Sequence, residues 1–310
     1  MQTSAIGPHV LEEQRSRLNT REKWLLAIVC LFAGIAVFAT HWIADDVTRI
    51  ICGVVLAAVY LGCTLFARRS RSLQQFWELS FAFFVLAVIL VLNNSIPGYV
   101  GTSILHSPPD DGNPLASTVS GTVVVQLLGT CFGIALVLAS TLVTRRGLGS
   151  VYARPGKLGV WLVFSIVFFV AFYAFLASLP LRPDSPAQRL LPTNGFVTFD
   201  RLLMFTPALV VISLANGFEE EFVTRGLFLQ KYDVFFGPRV ANVLQAIVFA
   251  SAHAGVTYTP SAFVFIVLLV FPLGLFAGYL MRATDGVLAG GIFHGALDMA
   301  IYLPFLTFTS

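Results

Sequence analysis

Charge is scarce in this chain. Lys and Arg number 19 and Asp and Glu 16 among 310 residues, 11% in all, where a soluble domain carries about 25%. The shortage excludes an ordinary soluble globular protein, and the 57% hydrophobic content points to a membrane instead. Cysteine is rare too. Cys30, Cys52, Cys63 and Cys131 are scattered through apolar runs, which excludes a disulfide framework or a zinc knuckle and leaves them as small packing residues. No ten-residue segments of alternating hydrophobicity occur. An outer-membrane barrel is thereby excluded, and helices are the remaining way to satisfy a backbone in lipid. Internal repeats and long low-complexity tracts are also missing. Net charge is a modest +3, and no nucleic-acid partner is expected.

What the chain has in abundance is long apolar runs. About 20 apolar residues cross the ~30 Å hydrocarbon layer as a helix. Nine candidate spans can be marked, near residues 24–44, 47–67, 76–96, 119–143, 158–179, 202–229, 240–256, 262–281 and 287–308. The expected fold is an all-α, polytopic transmembrane helix bundle of about eight or nine spans, lying in a lipid bilayer. The first run exceeds a signal-peptide core in length and is read as a retained span. Basic residues then orient the chain. Arg15, Arg17, Arg21 and Lys23, then Arg68, Arg69 and Arg71, then Arg145, Arg146, Arg154 and Lys157, then Lys231, Arg239 and Arg282 all fall on one side of nine spans. Arg182, Arg189 and Arg201 are the main exceptions, near a Pro-rich loop at 180–192; a second loop on that side, 107–114, is rich in Pro, Asp and Gly. The expectation is a multi-pass protein of the plasma (inner) membrane with a cytoplasmic N-terminus. Along the sequence it divides into a polar cytoplasmic leader (1–23), scaffold spans (24–198) and spans that carry chemistry (199–310).

Against this apolar background three groups of ionisable residues stand out. They are Glu219-Glu220-Glu221 with Arg225, His253 four residues after Phe249, and His294 with Asp298 four residues on. Such groups are expensive in lipid and usually mark function. Successive helical residues are about 100° apart, so three adjacent carboxylates cannot share one face. Glu221 and Arg225, spaced i,i+4, can pair, which leaves Glu220 free of that pairing. Counting ~1.5 Å per residue, Glu220 lies about 18 Å from Tyr232, His253 about 21 Å from Arg239 and His294 about 18 Å from Arg282. With those three anchors on the same side, the motifs sit at matching depth. Matched depth favours one site over a solvated helix end. Small residues flank both histidines: Ala250, Ser251, Ala252, Ala254 and Gly255, then Gly290, Gly291, Gly295 and Ala296. They let helices approach closely.

Glu220-Glu221-Phe222-Val223-Thr224-Arg225 reads EExxxR, Phe249 to His253 reads FxxxH, and His294 to Asp298 reads HxxxN/D. In this order and on separate spans, the motifs resemble those of the CPBP family of intramembrane proteases. That family includes the CAAX prenyl endopeptidases and bacteriocin-processing or self-immunity proteins. The resemblance covers about residues 200–308 and implies an intramembrane endopeptidase acting on a membrane-associated peptide or protein. It implies that Glu220 activates a water with help from His253. His294 and Asp298 would then stabilise an oxyanion or bind a metal, while Glu221, Arg225 and Phe249 support the site. Many members carry Asn at the last motif position. An amide donates to an oxyanion and an ionised carboxylate cannot, so Asp298 is expected to orient His294 or to ligate metal unless it is protonated.

Zinc is one reading of the set Glu220, His253, His294 and Asp298, because two imidazoles, a carboxylate and an open position suit catalytic Zn²⁺. HExxH is absent, and a metal-free glutamate protease is the other reading. Two further functions fit intramembrane Glu, His and Asp: a transporter or proton relay, and an inactive family member acting in immunity or binding. The lack of repeated halves and broken spans speaks against transport. Oligomeric state and substrate identity are not legible in the sequence.

Overall fold

The computed structural model describes residues 18–104, 119–178, 199–253 and 260–308, and among them there are helices and no strand. The α-helices are α1 (Thr20–Ala39), α2 (Asp46–Arg69), α3 (Trp77–Tyr99), α4 (Val119–Thr144), α5 (Val160–Ser178), α6 (Phe199–Glu220), α7 (Leu227–Ala252), α8 (Pro260–Phe265), α9 (Phe271–Thr284) and α10 (Leu288–Phe308). Local chemistry sets the starts. Asn19 and Glu22 form a reciprocal capping box on α1, and the Asp45 carboxylate accepts the Thr48 N–H at the head of α2. Inside the spans, hydroxyls mostly bond to their own helix. Thr64 donates to the Tyr60 carbonyl, Ser165 to Trp161, Thr206 to Leu202 and Thr284 to Leu280. Those side chains meet the apolar surroundings already satisfied.

Among the described residues, seven helices are long and apolar enough to cross a membrane, with Leu288–Leu303 as a shorter apolar helix. The expected spans 202–229 and 240–256 account for the difference in count. They are joined in one 51-residue helical stretch, Leu202–Ala252. Unbroken, it would run about 75 Å, more than twice the hydrocarbon thickness. It is not unbroken. Winding is π-helical over Glu221–Gly226, and Gly237 takes φ 75° immediately before Pro238. A positive φ suits glycine, and proline removes the next N–H from the ladder. Residues 254–256 of the expected span, the loops 107–114 and 180–192, and leader residues 1–17 lie outside the described residues.

The chain forms two compact units, and each draws from both sides of the 198/199 division along the sequence. The first comprises Met1–Val91, Leu136–Val151 and Val223–Tyr279. Here α1 meets α7 closely: a Cβ on Gly34 would stand 2.7 Å from Val248. Phe83 packs on Phe228 with centroids 4.9 Å apart, and Arg146 holds Glu78 through Nε and Nη2 at 3.1 and 2.9 Å.

The second unit comprises Leu92–Ala135, Tyr152–Phe222 and Leu280–Ser310. Its apolar core is Leu176, Leu202, Phe205, Leu209, Ile212 and residues of α10 including Met299. The helices α6 and α10 touch backbone to backbone, since a Cβ on Gly217 would lie 2.5 Å from the Gly295 nitrogen. Gly217→Ala is therefore expected to destabilise by about 1–3 kcal/mol through overpacking. A lower melting temperature of the detergent-solubilised protein would register it, and an unchanged one would count against this contact.

Candidate active site

The close approach of α6 and α10 brings acids from one helix onto a histidine of the other. His294 is buried on α10, and its Nδ1 lies 2.9 Å from Glu221 Oε1. Its Nε2 lies 3.4 Å from Glu220 Oε2 and 3.7 Å from Asp298 Oδ1. Glu221 is fully buried and Asp298 nearly so, whereas 29% of the Glu220 side chain is accessible. Three carboxylates thus surround one imidazole, and Glu220 is the one that reaches open space.

Helical spacing alone expects Glu220 and Glu221 to diverge. Both instead meet the His294 ring, one at each nitrogen. Glutamate side chains are long, and the chain changes to π-helical winding at Glu221. Local widening of that kind recurs at functional sites. The spacing of His294 and Asp298 puts them on one face, as expected, but 3.7 Å is beyond hydrogen-bond reach. The hydrogen bond that orients the His294 ring comes from Glu221.

Amides and hydroxyls extend the cluster. Asn216, one turn before Glu220 on α6, donates to Glu220 Oε1 and Asp298 Oδ2, both at 3.1 Å. Gln126 of α4 donates to Asn216 Oδ1 at 3.1 Å and accepts from the Tyr302 hydroxyl at 2.8 Å. Glu219 is buried and accepts from Asn93 at 2.6 Å and Thr130 at 3.1 Å. Gly133 leaves the room for it, as a Cβ there would stand 2.9 Å from Glu219 Oε1. Sequence reasoning passed over Asn93, Gln126, Thr130, Asn216 and Tyr302 because it searched the early spans for ionisable residues only. The available signal was an unionised amide inside an apolar run, such as Asn93 or Gln126.

The other motif residues belong to the first unit. Arg225 is fully buried, with its guanidinium 4.0 Å from the Phe249 ring centroid and Nη1 donating to Thr224 Oγ1 at 2.9 Å. Phe249 in turn stacks edgewise on His253, centroids 4.8 Å apart. His253 caps the C-terminus of α7, and its Nδ1 lies 3.1 Å from the Phe249 carbonyl. A carbonyl can only accept, so Nδ1 carries a proton in that bond.

Zinc was expected on Glu220, His253, His294 and Asp298. Among the described residues, no group of three His, Cys, Asp or Glu side chains is arranged to hold an ion. Glu221 holds Nδ1 of His294, and Asn216 holds one oxygen each of Glu220 and Asp298; a carboxylate on one ring nitrogen is also common at metal-bound histidines, which ligate through the other nitrogen.

Comparison with known proteins adds an independent line. No curated protein and no solved structure matches the chain. Residues 202–300 match the family model described as Type II CAAX prenyl endopeptidase Rce1-like. The match spans α6, α7 and α9 and most of α10, and so includes all three motifs. About the C-terminal third of this integral membrane chain is thus similar to the Rce1-like CAAX prenyl endopeptidase family.

Proposed function

We propose that the protein is an intramembrane endopeptidase in which Glu220 activates water against a peptide bond of a membrane-associated substrate. The observation that carries this reading is the meeting of Glu220 Oε2 and His294 Nε2 at 3.4 Å, made by a carboxylate whose side chain is partly accessible. The Glu220 carboxylate takes a proton from water as the oxygen attacks the carbonyl carbon. A tetrahedral oxyanion forms, the C–N bond breaks, and the proton on Glu220 passes to the leaving amine. Glu221 accepts the Nδ1 proton of His294, which fixes the ring so that Nε2 faces the reacting atoms. In its protonated form Nε2 donates to the oxyanion, a task suited to a fixed donor in a water-poor site. In this reading the N-terminus lies on the cytoplasmic side of the plasma (inner) membrane, an orientation supported by the basic residues of the loops.

The test is hydrolysis by the purified full-length chain in liposomes. Prenylated and unprenylated peptides of one sequence are compared, and the new termini are read by mass spectrometry. A prenyl-dependent cut supports a CAAX-type substrate, whereas equal cutting of both supports a general membrane peptide. Failure to cut any membrane-associated peptide would overturn the reading. Activity undiminished after exhaustive chelation would support the metal-free glutamate reading, and its loss with restoration by Zn²⁺ would support the zinc reading.

Asp298→Asn checks the departure at the last motif position. Here Asp298 acts as a carboxylate that accepts from Asn216 and balances charge on His294. The substitution is expected to cut turnover by about 10–100-fold, the usual effect of losing a partner of a reacting group. Undiminished or raised turnover would assign position 298 an amide-donor role instead.

A further inference from the structure

Asn216 belongs to none of the three motifs, yet it touches two of the acids that the proposed hydrolysis uses. Its Nδ2 donates to Glu220 Oε1 and to Asp298 Oδ2, each at 3.1 Å. Its Oδ1 accepts from Gln126 Nε2 at 3.1 Å, and Gln126 Oε1 accepts from the Tyr302 hydroxyl at 2.8 Å. The direction of this chain of bonds is determined by its ends. A flipped Asn216 would turn its carbonyl onto two carboxylate oxygens and its NH₂ onto the NH₂ of Gln126. One oxygen of each acid is thereby occupied. The others, Glu220 Oε2 and Asp298 Oδ1, face His294 Nε2.

We infer that Asn216 is a positioning residue for the reaction, bridging Glu220 and Asp298 so that Glu220 keeps Oε2 against His294 Nε2, and that Gln126 and Tyr302 act through it. The inference rests on the proteolytic reading above. Two carboxylates in one site repel each other, and a shared donor offsets that repulsion. An unbridged Glu220 could turn either oxygen to His294, and small misplacements of a reacting group are costly in rate. Gln126 lies on α4, so a helix outside the family match sets the geometry of one inside it.

The experiment uses the full-length chain in liposomes, one cleaved peptide, and separate values of kcat and KM. Asn216→Ala is expected to lower kcat by about 10–100-fold, with KM within about twofold, because the bridge acts on the reacting atom and not on substrate binding. Asn216→Asp, which keeps the volume but donates nothing, is expected to fall as far. Gln126→Leu is expected to lower kcat about tenfold in the wild-type background and to do nothing further beside Asn216→Ala, as required of a residue acting through another. An unchanged kcat in Asn216→Asp would overturn the inference. So would a Gln126→Leu loss that is the same in both backgrounds.

Melting temperature gives a second reading that does not need activity. Asn216→Ala is expected to lower it in wild type and to lower it less beside Glu220→Ala with Asp298→Ala, where only the bond from Gln126 is left to lose. Equal drops in both backgrounds would overturn the inference. A wild-type chain that cleaves no peptide counts against the proteolytic reading, while the melting comparison still decides the bridge.

Discussion

Replacing Glu220 by glutamine is expected to abolish cleavage and leave the fold in place. Glutamine fills the same volume, and its carbonyl oxygen can still accept from Asn216 Nδ2 as Glu220 Oε1 does at 3.1 Å. Its NH₂ takes the place of Oε2 and can donate to His294 Nε2. What it cannot do is take a proton from water. Loss of a general base alone removes about 10²–10⁴-fold in rate, enough to bring slow peptide hydrolysis below detection. The side chain is partly accessible, so no buried charge is stranded by the change. Cleavage and melting temperature should be measured on the same preparation. Wild-type turnover in Glu220→Gln would end the assignment of Glu220 as the base.

Arg225→Ala is expected to give the opposite pattern, with the fold lost first. Arg225 is the largest fully buried side chain, and its guanidinium stacks 4.0 Å from the Phe249 centroid. Removing it empties a large volume, loses a desolvated cation–π contact and breaks a buried polar network. Breaking such networks costs about 3–5 kcal/mol, a large part of the stability of most proteins. Low yield, aggregation in detergent or a melting temperature many degrees down would register it. Arg225→Lys keeps the charge but not the planar stack, and should recover only part of the loss. A stable, folded Arg225→Ala chain without activity would instead move Arg225 into the chemistry.

The helical, membrane-spanning architecture was legible because it depends on composition and run length, which a single sequence carries in full. The joined stretch Leu202–Ala252 was harder to read, since Gly237 and Pro238 look like a loop but interrupt a helix. Depth grouped Glu220, His253 and His294, and spacing added Asp298; Glu220, His294 and Asp298 lie together in the second unit, and His253 belongs to the first. The role of Glu221 was not legible. Its partner His294 lies 73 residues away, and an ideal 100° step cannot foresee winding that turns π-helical at that residue. Asn216 and Gln126 escaped for a different reason. Amides inside spans carry no charge to draw notice, and their importance comes from partners on other helices.

The donors that hold Glu219 have a bearing on how the chain enters a bilayer. An acidic side chain at mid-span opposes insertion by on the order of 3 kcal/mol, and α6 with its π-helical continuation brings three in succession. Asn93 on α3 and Thr130 on α4 precede Glu219 in the chain by 126 and 89 residues. Helices emerge from the ribosome in sequence order. When α6 arrives, the residues that receive Glu219 have already been made, and so has Gln126, which donates to Asn216. The early helices, apolar and without motifs of their own, thus prepare a polar berth for the most costly segment of the protein before it is made.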